Sequence, residues 1–165
     1  MFRLILCFFL LVNLVGAQMS LAVSLPIGVY VIARPQVQLI TASERQPESI
    51  ATLLPPTGNL GDQEFEIINN PDRTVHIRNI ESRLYLSSKN EPNALITLET
   101  QPKRWSLIPG TKPSYYIIQL PGSPVDGQIL VIDLSLLKIF PPRLALRPLR
   151  QNDVSAQQFQ FALQL

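Results

Sequence analysis

The sequence predicts an all-β fold made of three similar units. An aromatic residue heads a short alternating apolar strand three times, at Phe65, Trp105 and Phe159, at spacings of 40 and 54 residues. Two of these strands open with Gln-x-aromatic, at Gln63 and Gln157. Short alternating segments separated by Pro, Gly, Asn and Asp fill the rest, without a convincing helix. Such a repeat is typical of a β-trefoil, in which six strands close a barrel and six cap one end.

The first seventeen residues have the pattern of a secretion signal. Met1-Phe2-Arg3 provides a positive start, and an apolar run follows over residues 4–15. This run is shorter than the ~18 to 20 residues that a membrane-spanning helix needs. We expect cleavage after Ala17, with Ala22 as the alternative, and a secreted, extracellular protein.

Removing residues 1–17 leaves 148 residues, which we expect to form one β-trefoil domain, residues 18–165. The only cysteine, Cys7, lies in the signal, so the fold must be stable without disulfides. The remaining chain contains 13 Lys and Arg and 12 Asp and Glu, which gives a net charge of +1. A charge this small does not indicate nucleic-acid binding. We expect a monomer with no cofactor and, after cleavage, no contact with membranes.

Each unit is predicted to contain four strands, and the units cover about residues 26–68, 69–108 and 109–165. Opening strands align as Tyr30-x-Ile32, Val75-x-Ile77 and Tyr116-x-Ile118, while closing strands align the three repeated aromatic residues. We expect each of these triplets to fill one layer of the barrel. The twelve predicted strands are residues 28–33, 37–41, 50–54, 63–68, 74–78, 83–86, 94–98, 103–108, 115–118, 128–133, 144–149 and 157–163.

The residues that carry most enzyme chemistry are scarce, and we expect no catalytic activity. His76 is the only histidine, so neither a Ser-His-Asp arrangement nor a His-rich metal site has a choice of partners. The alternation around His76 predicts a solvated strand residue. Asp62, Glu64 and Glu66 lie close in sequence, but carboxylates two residues apart on one strand share its outer face, as a half-buried strand requires. We therefore interpret them as surface charges.

A polar, exposed loop is predicted at residues 42–49, between the second and third strands. Arg45 lies near its centre between Glu44 and Gln46, and Pro47 favours an extended or turn conformation in the residue before it. A stiff, extended loop that presents a basic side chain is what a trypsin-like serine protease binds, since its S1 pocket carries a carboxylate. These four residues form the candidate protease-binding loop.

The equivalent loop of the second unit provides an alternative, with Lys89 followed by Asn90. Basic residues in loops also serve solubility alone, so a pair of solvated turns remains an open interpretation.

Ordered motifs extend across nearly the whole mature chain. They are Pro26-Ile27-Gly28-Val29-Tyr30-Val31-Ile32, Trp105-Ser106-Leu107 followed by Tyr116-Ile117-Ile118, and Leu144-Ala145-Leu146-Arg147-Pro148-Leu149 before Gln158-Phe159-Gln160-Phe161. Together, in this order, they resemble the fungal β-trefoil serine protease inhibitors. The resemblance implies an inhibitor that binds its protease reversibly through an exposed loop, with Arg45 at the primary specificity position.

Two other functions remain open. The Gln-x-aromatic segments are similar to the Gln-x-Trp mark of ricin-type lectins, which implies a carbohydrate-binding trefoil as the alternative. That mark indicates the fold, and no aspartate repeats beside an aromatic residue on the predicted surface. The sole tryptophan, Trp105, is predicted to face the core, where it could not stack on a sugar. A trefoil that binds another extracellular protein is the third interpretation.

Overall fold

The computed structural model of the chain describes residues 21–35, 38–122 and 124–164. The predicted signal peptide, with Cys7 and the cleavage site after Ala17, and the first residue of the second predicted strand, Val37, lie outside these ranges. Within them, the twelve strands are β1 (Val29–Arg34), β2 (Gln38–Thr41), β3 (Thr52–Leu54), β4 (Glu64–Asn69), β5 (Thr74–Asn79), β6 (Tyr85–Ser87), β7 (Thr97–Glu99), β8 (Trp105–Pro109), β9 (Tyr115–Gln119), β10 (Leu130–Leu134), β11 (Leu144–Pro148) and β12 (Phe159–Gln164).

Six of the strands close a barrel. Antiparallel pairing runs from β1 to β4, β5, β8, β9 and β12, and β12 pairs again with β1. Closure leaves none of these six strands with an unpaired edge. The other six strands form three hairpins, β2–β3, β6–β7 and β10–β11, each attached to the opening strand of its unit. The chain is therefore the twelve-stranded all-β trefoil that the repeats predict.

The register shows why the aromatic repeat predicted the barrel. Within each unit, the aromatic residue of the closing strand lies opposite the first aligned residue of the opening strand. The three pairs are Phe65 with Tyr30, Trp105 with Val75, and Phe159 with Tyr116. All three closing-strand aromatics are fully buried, and so are Ile32, Ile77 and Ile118 of the opening strands. The alternation of apolar and polar residues therefore places equivalent side chains of all three units in one core.

The three hairpins meet over one end of the barrel and hold each other by backbone hydrogen bonds. The amide of Ala51 donates to the carbonyl of Ile96 (3.0 Å), and the amide of Ile96 donates to the carbonyl of Leu144 (2.9 Å). The amide of Leu53 donates to the carbonyl of Pro142 (2.9 Å), which completes the triangle. This hairpin cap is rigid, and the loops at the hairpin tips project from it.

Two short helical turns precede closing strands. The helix α1 (Leu60–Gln63) comes before β4, and the 3-10 helix Val154–Gln157 comes before β12. Each turn ends on the glutamine of a Gln-x-aromatic segment. Single turns of four residues carry no 3.6-residue apolar periodicity, so the pattern could not reveal them.

These glutamines fasten the loop that enters each turn. The Gln63 side chain is buried, and its Nε2 donates to Thr41 Oγ1 (3.0 Å) and to the carbonyl of Pro55 (3.0 Å), while its Oε1 accepts from the amide of Thr57 (3.0 Å). Gln157 makes the corresponding three bonds, to Asp133, Pro148 and the amide of Arg150. Lys103 stands at this position in the second unit, and its Nζ donates to the carbonyl of Ser88 (2.9 Å).

Candidate binding clefts

The candidate protease-binding loop is exposed in part and fastened from inside. Residues 43–48 are exposed, but the prediction of exposure is wrong for Ala42 and Ser49, which are buried. The Ser49 hydroxyl donates to the carbonyl of Gln46 (2.7 Å) and lies 3.1 Å from the carbonyl oxygen of Glu44, which fixes the shape of the loop. Glu44, Arg45, Gln46 and Pro47 therefore lie on a stiff surface loop, as the sequence indicated.

The Arg45 side chain is occupied by acidic partners rather than free. It is 51% exposed, and its guanidinium lies 2.8 Å from the Glu81 carboxylate and 3.5 Å from that of Asp62. A protease pocket could take this side chain only after both ion pairs had broken. Glu81 and Asp62 come from other parts of the chain, so no local pattern around Arg45 indicates these pairs.

The alternative loop differs in how its two candidate residues are placed. Lys89 is exposed and, within the described residues, forms no ion pair. The Asn90 side chain instead accepts a hydrogen bond from Lys103 Nζ. Burial lowers the pKa of Lys103, because the charged ammonium is partly withdrawn from water. Lys103 thus anchors the loop, and Lys89 extends from it.

A cleft of about 630 Å³ opens beside Lys89, and we call it the β6–β7 cleft. Its lining combines acidic groups, hydroxyls and one ammonium with the aliphatic side chains of Ala94 and Leu95. The Thr97 hydroxyl donates to Glu99 Oε1 (2.9 Å), which orients that carboxylate. The lining residues are Glu48, Ser87, Ser88, Lys89, Glu91, Ala94, Leu95, Thr97 and Glu99.

A second cleft, of about 400 Å³, lies in the third unit around the buried carboxylate of Asp133. Arg34 donates to Asp133 Oδ1 (2.6 Å), while Arg150 and Gln157 donate to Oδ2 (both 3.0 Å). The carboxylate is saturated by these donors and by the amide of Leu134 (2.7 Å). Asp133 therefore joins strands of the fold and has no lone pair directed at a ligand.

The basic residues late in the chain, Lys138, Arg143, Arg147 and Arg150, are placed differently from one another. Arg150 pairs with Asp133 and with Asp153, and Arg147 donates to Asn93 of the second unit. Of the four, only Lys138 is exposed and without an ion pair in the described part of the chain. Asp133 and Asn93 lie on other strands or loops, so alternation along one strand could not show these contacts.

The aromatic residues offer no open platform at either cleft. Trp105 is fully buried, as predicted, and its indole N–H donates to the carbonyl of Leu86 (2.9 Å). The half-buried ring of Tyr85 lies under the Arg78 guanidinium (5.8 Å), and Tyr115 lies near Lys112 Nζ (6.0 Å). A ligand in the β6–β7 cleft would therefore contact aliphatic and polar side chains.

His76 is more constrained than a solvated strand residue. It is half-buried, its Nδ1 lies 2.8 Å from the carbonyl of Lys103, and its ring meets Tyr85 edge-on. In the portion of the chain that the structure covers, no three His, Cys, Asp or Glu side chains group as metal ligands would. Within the same residues, no helix has the length and apolar character to cross a bilayer.

Solved structures similar to this chain are β-trefoil proteins. The ricin B-like lectin of Macrolepiota procera, solved in complex with lactose, matches with a TM-score of 0.68 and 16% identity over 86% of this chain and 99% of the lectin. The Rhizoctonia solani agglutinin matches with a TM-score of 0.70 and 15% identity over 86% of this chain and 99% of the agglutinin. A designed threefold-symmetric protein, ThreeFoil, matches with a TM-score of 0.68 and 11% identity, over 84% of this chain and 99% of the design.

Identities this low establish the shared fold and nothing finer. No family model and no curated protein matches the chain. None of the three structures described above is a protease inhibitor, so the family resemblance seen in the sequence gains support for its fold only.

Proposed function

We propose that this chain is a carbohydrate-binding trefoil that holds a saccharide in the β6–β7 cleft. The lining of that cleft carries the proposal, because it combines hydrogen-bonding groups with the aliphatic side chains of Ala94 and Leu95. A sugar ring presents hydroxyls around its rim and C–H groups on its faces, so it requires both kinds of contact. The fold shared with a lectin solved with lactose and with an agglutinin supports the same class of ligand.

Each polar group of the cleft has a role in this proposal. Glu91 and Glu99 accept hydrogen bonds from sugar hydroxyls, and Lys89 donates to hydroxyl or ring oxygens. Thr97 holds the Glu99 carboxylate in place before the ligand arrives, which reduces the entropy lost on binding. No step of the proposal is catalytic. The apolar N-terminal segment supports a secreted location as part of it.

The test is a glycan array probed with the purified chain, followed by calorimetric titration of the strongest array ligand and of lactose. We expect saturable binding to one class of glycan. Removing one charged partner, in Lys89→Ala or Glu91→Gln, should weaken binding about tenfold or more. Lys112→Ala removes an exposed lysine away from the cleft and should leave the affinity unchanged. An array without a ligand, or equal affinity in all four proteins, would contradict the proposal.

Protease inhibition is the second proposal, and the exposed loop held by Ser49 favours it. Arg45 would have to leave Glu81 and Asp62 to enter an acidic pocket, so the ion pairs oppose binding. Residual trypsin activity on a small chromogenic substrate tests this mechanism. It requires Arg45→Ala to inhibit less than the natural chain and Glu81→Gln to inhibit more. The control Arg104→Ala, which removes another exposed arginine, should inhibit as the natural chain does. The mechanism fails if trypsin is not inhibited, or if Arg45→Ala inhibits equally well.

A further inference from the structure

The loop between β10 and β11 exposes an unusual number of large apolar side chains. We call residues 135–142 the apolar loop. Phe140 is 85% exposed and Leu136 is 70% exposed, and Leu137 and Ile139 are exposed as well. Because these side chains are not buried, packing in the core does not account for their apolar character. Exposed apolar clusters of this kind mark contact surfaces.

The pseudo-threefold symmetry provides an internal comparison. The equivalent hairpin loops of the first two units, residues 42–49 and 88–96, present mainly charged and polar side chains to solvent. The same trefoil position is thus compatible with polar residues. The apolar composition of the third loop is specific to it rather than a requirement of the hairpin.

The apolar loop is mounted on a rigid base. The amide of Ser135 donates to the carbonyl of Arg143 (2.9 Å) across the foot of the loop, and the amide of Leu53 holds Pro142 to the neighbouring hairpin. Within the loop, the amide of Leu137 donates to the Ser135 hydroxyl (3.2 Å). The exposed side chains are therefore displayed together, with little ordering left to occur on contact.

The charge that the apolar loop itself presents is a cation. Lys138 lies within the loop, is exposed and forms no ion pair within the described residues. Acidic residues lie nearby at the foot of the loop, where Arg150 pairs with Asp133 and Asp153, and Glu44 and Glu48 share a cleft with Arg143. Exposed apolar tips beside an unpaired lysine are complementary to a surface that is anionic outside and apolar beneath.

We propose that the apolar loop is a contact site for an anionic lipid surface, into which Phe140 and Leu136 insert at the headgroup boundary. The lysine favours lipid over a protein partner. Lysine is depleted in protein interfaces, whereas at a bilayer its aliphatic stem packs beside apolar groups while its ammonium reaches the phosphates. The site departs from the sequence-based expectation of no membrane contact, and it is separate from the β6–β7 cleft.

Vesicle co-sedimentation tests the site with the full chain. Vesicles of phosphatidylcholine alone are compared with vesicles of equal parts phosphatidylcholine and phosphatidylserine. We expect binding to the anionic vesicles that weakens with added salt. The double substitution Leu136→Ser, Phe140→Ser should reduce the partition coefficient by about tenfold or more, since each side chain loses apolar burial. Lys138→Glu should reduce it by about fivefold or more.

Two controls keep the outcome specific. Ile27→Ser removes another exposed apolar side chain, which is 90% exposed and precedes β1, and it should leave vesicle binding unchanged. Unfolding curves of every variant should match the natural chain, because the substituted side chains are exposed. No binding to either vesicle, or equal binding by the loop variants, would overturn the proposal. Self-association of the natural chain that the double variant abolishes would assign the loop to a protein interface instead.

Discussion

Replacing Gln63 by alanine removes four hydrogen bonds at once from a buried position. The side chain donates to Thr41 Oγ1 and the carbonyl of Pro55 and accepts from the amide of Thr57, all at 3.0 Å, and it accepts a longer bond from the Thr57 hydroxyl (3.3 Å). A net contribution of about 1 kcal/mol for each of the three shorter bonds gives a loss of about 3 kcal/mol in the free energy of unfolding. The Thr41 hydroxyl is buried and loses its donor, whereas Pro55 and Thr57 are exposed and can bond to water, so about 3 kcal/mol is an upper value.

Urea denaturation followed by tryptophan fluorescence measures this loss directly, because Trp105 is the only tryptophan and is fully buried. Gln160→Ala is the matched control. Gln160 is exposed, and its one side-chain hydrogen bond joins its Oε1 to the Tyr115 hydroxyl at 3.4 Å, so its loss should cost less than about 0.5 kcal/mol. A change below about 1 kcal/mol for Gln63→Ala, or equal changes for both variants, would refute the role given to this glutamine.

Two further perturbations probe Asp133, which accepts a hydrogen bond from Gln157 in the third unit, and Lys103, which takes the place of the glutamine in the second unit. Asp133→Ala should lower the free energy of unfolding by about 3 kcal/mol, because the partly buried Arg34 guanidinium loses its carboxylate; urea denaturation that shows no loss would contradict the network. Lys103→Gln tests pH dependence, since burial lowers the pKa of Lys103 below its ordinary value of 10.5. Between the folded-state pKa and 10.5 the unfolded chain binds more protons, so the stability of the natural chain relative to this variant should rise with pH there. A difference that stays constant with pH would contradict the burial of the ammonium.

The fold was predictable because its signal is local and repeated. Period-two alternation placed the aromatic residues of three closing strands on one side, and their equal burial at Phe65, Trp105 and Phe159 confirms that inference. The first and last residues of the hairpin strands were harder to predict. Residues 94–96 were predicted as part of a strand, yet they lie outside β7, and Leu95 bridges to Ala145 of the third hairpin.

The binding surfaces were less predictable because their contacts join residues that are distant in sequence. Arg45 stands out in sequence as a free basic residue, but Asp62 and, from the second unit, Glu81 lie beside it in the folded chain. Asp133 carries no local signal, since Arg34 is distant in sequence and meets it through the barrel. Lys89 was identified as a loop residue, whereas the cleft beside it required the geometry of two hairpins.

Mapping backbone amide chemical shifts during titration of the strongest array ligand tests the central claim most directly. Saccharide binding in the β6–β7 cleft predicts saturable shifts that concentrate at residues 87–99 and at Glu48, which lines the same cleft. Shifts centred on the Arg45 loop or on the Asp133 cleft would contradict the assignment of the site. The absence of any saturable shift with any saccharide would contradict carbohydrate binding itself.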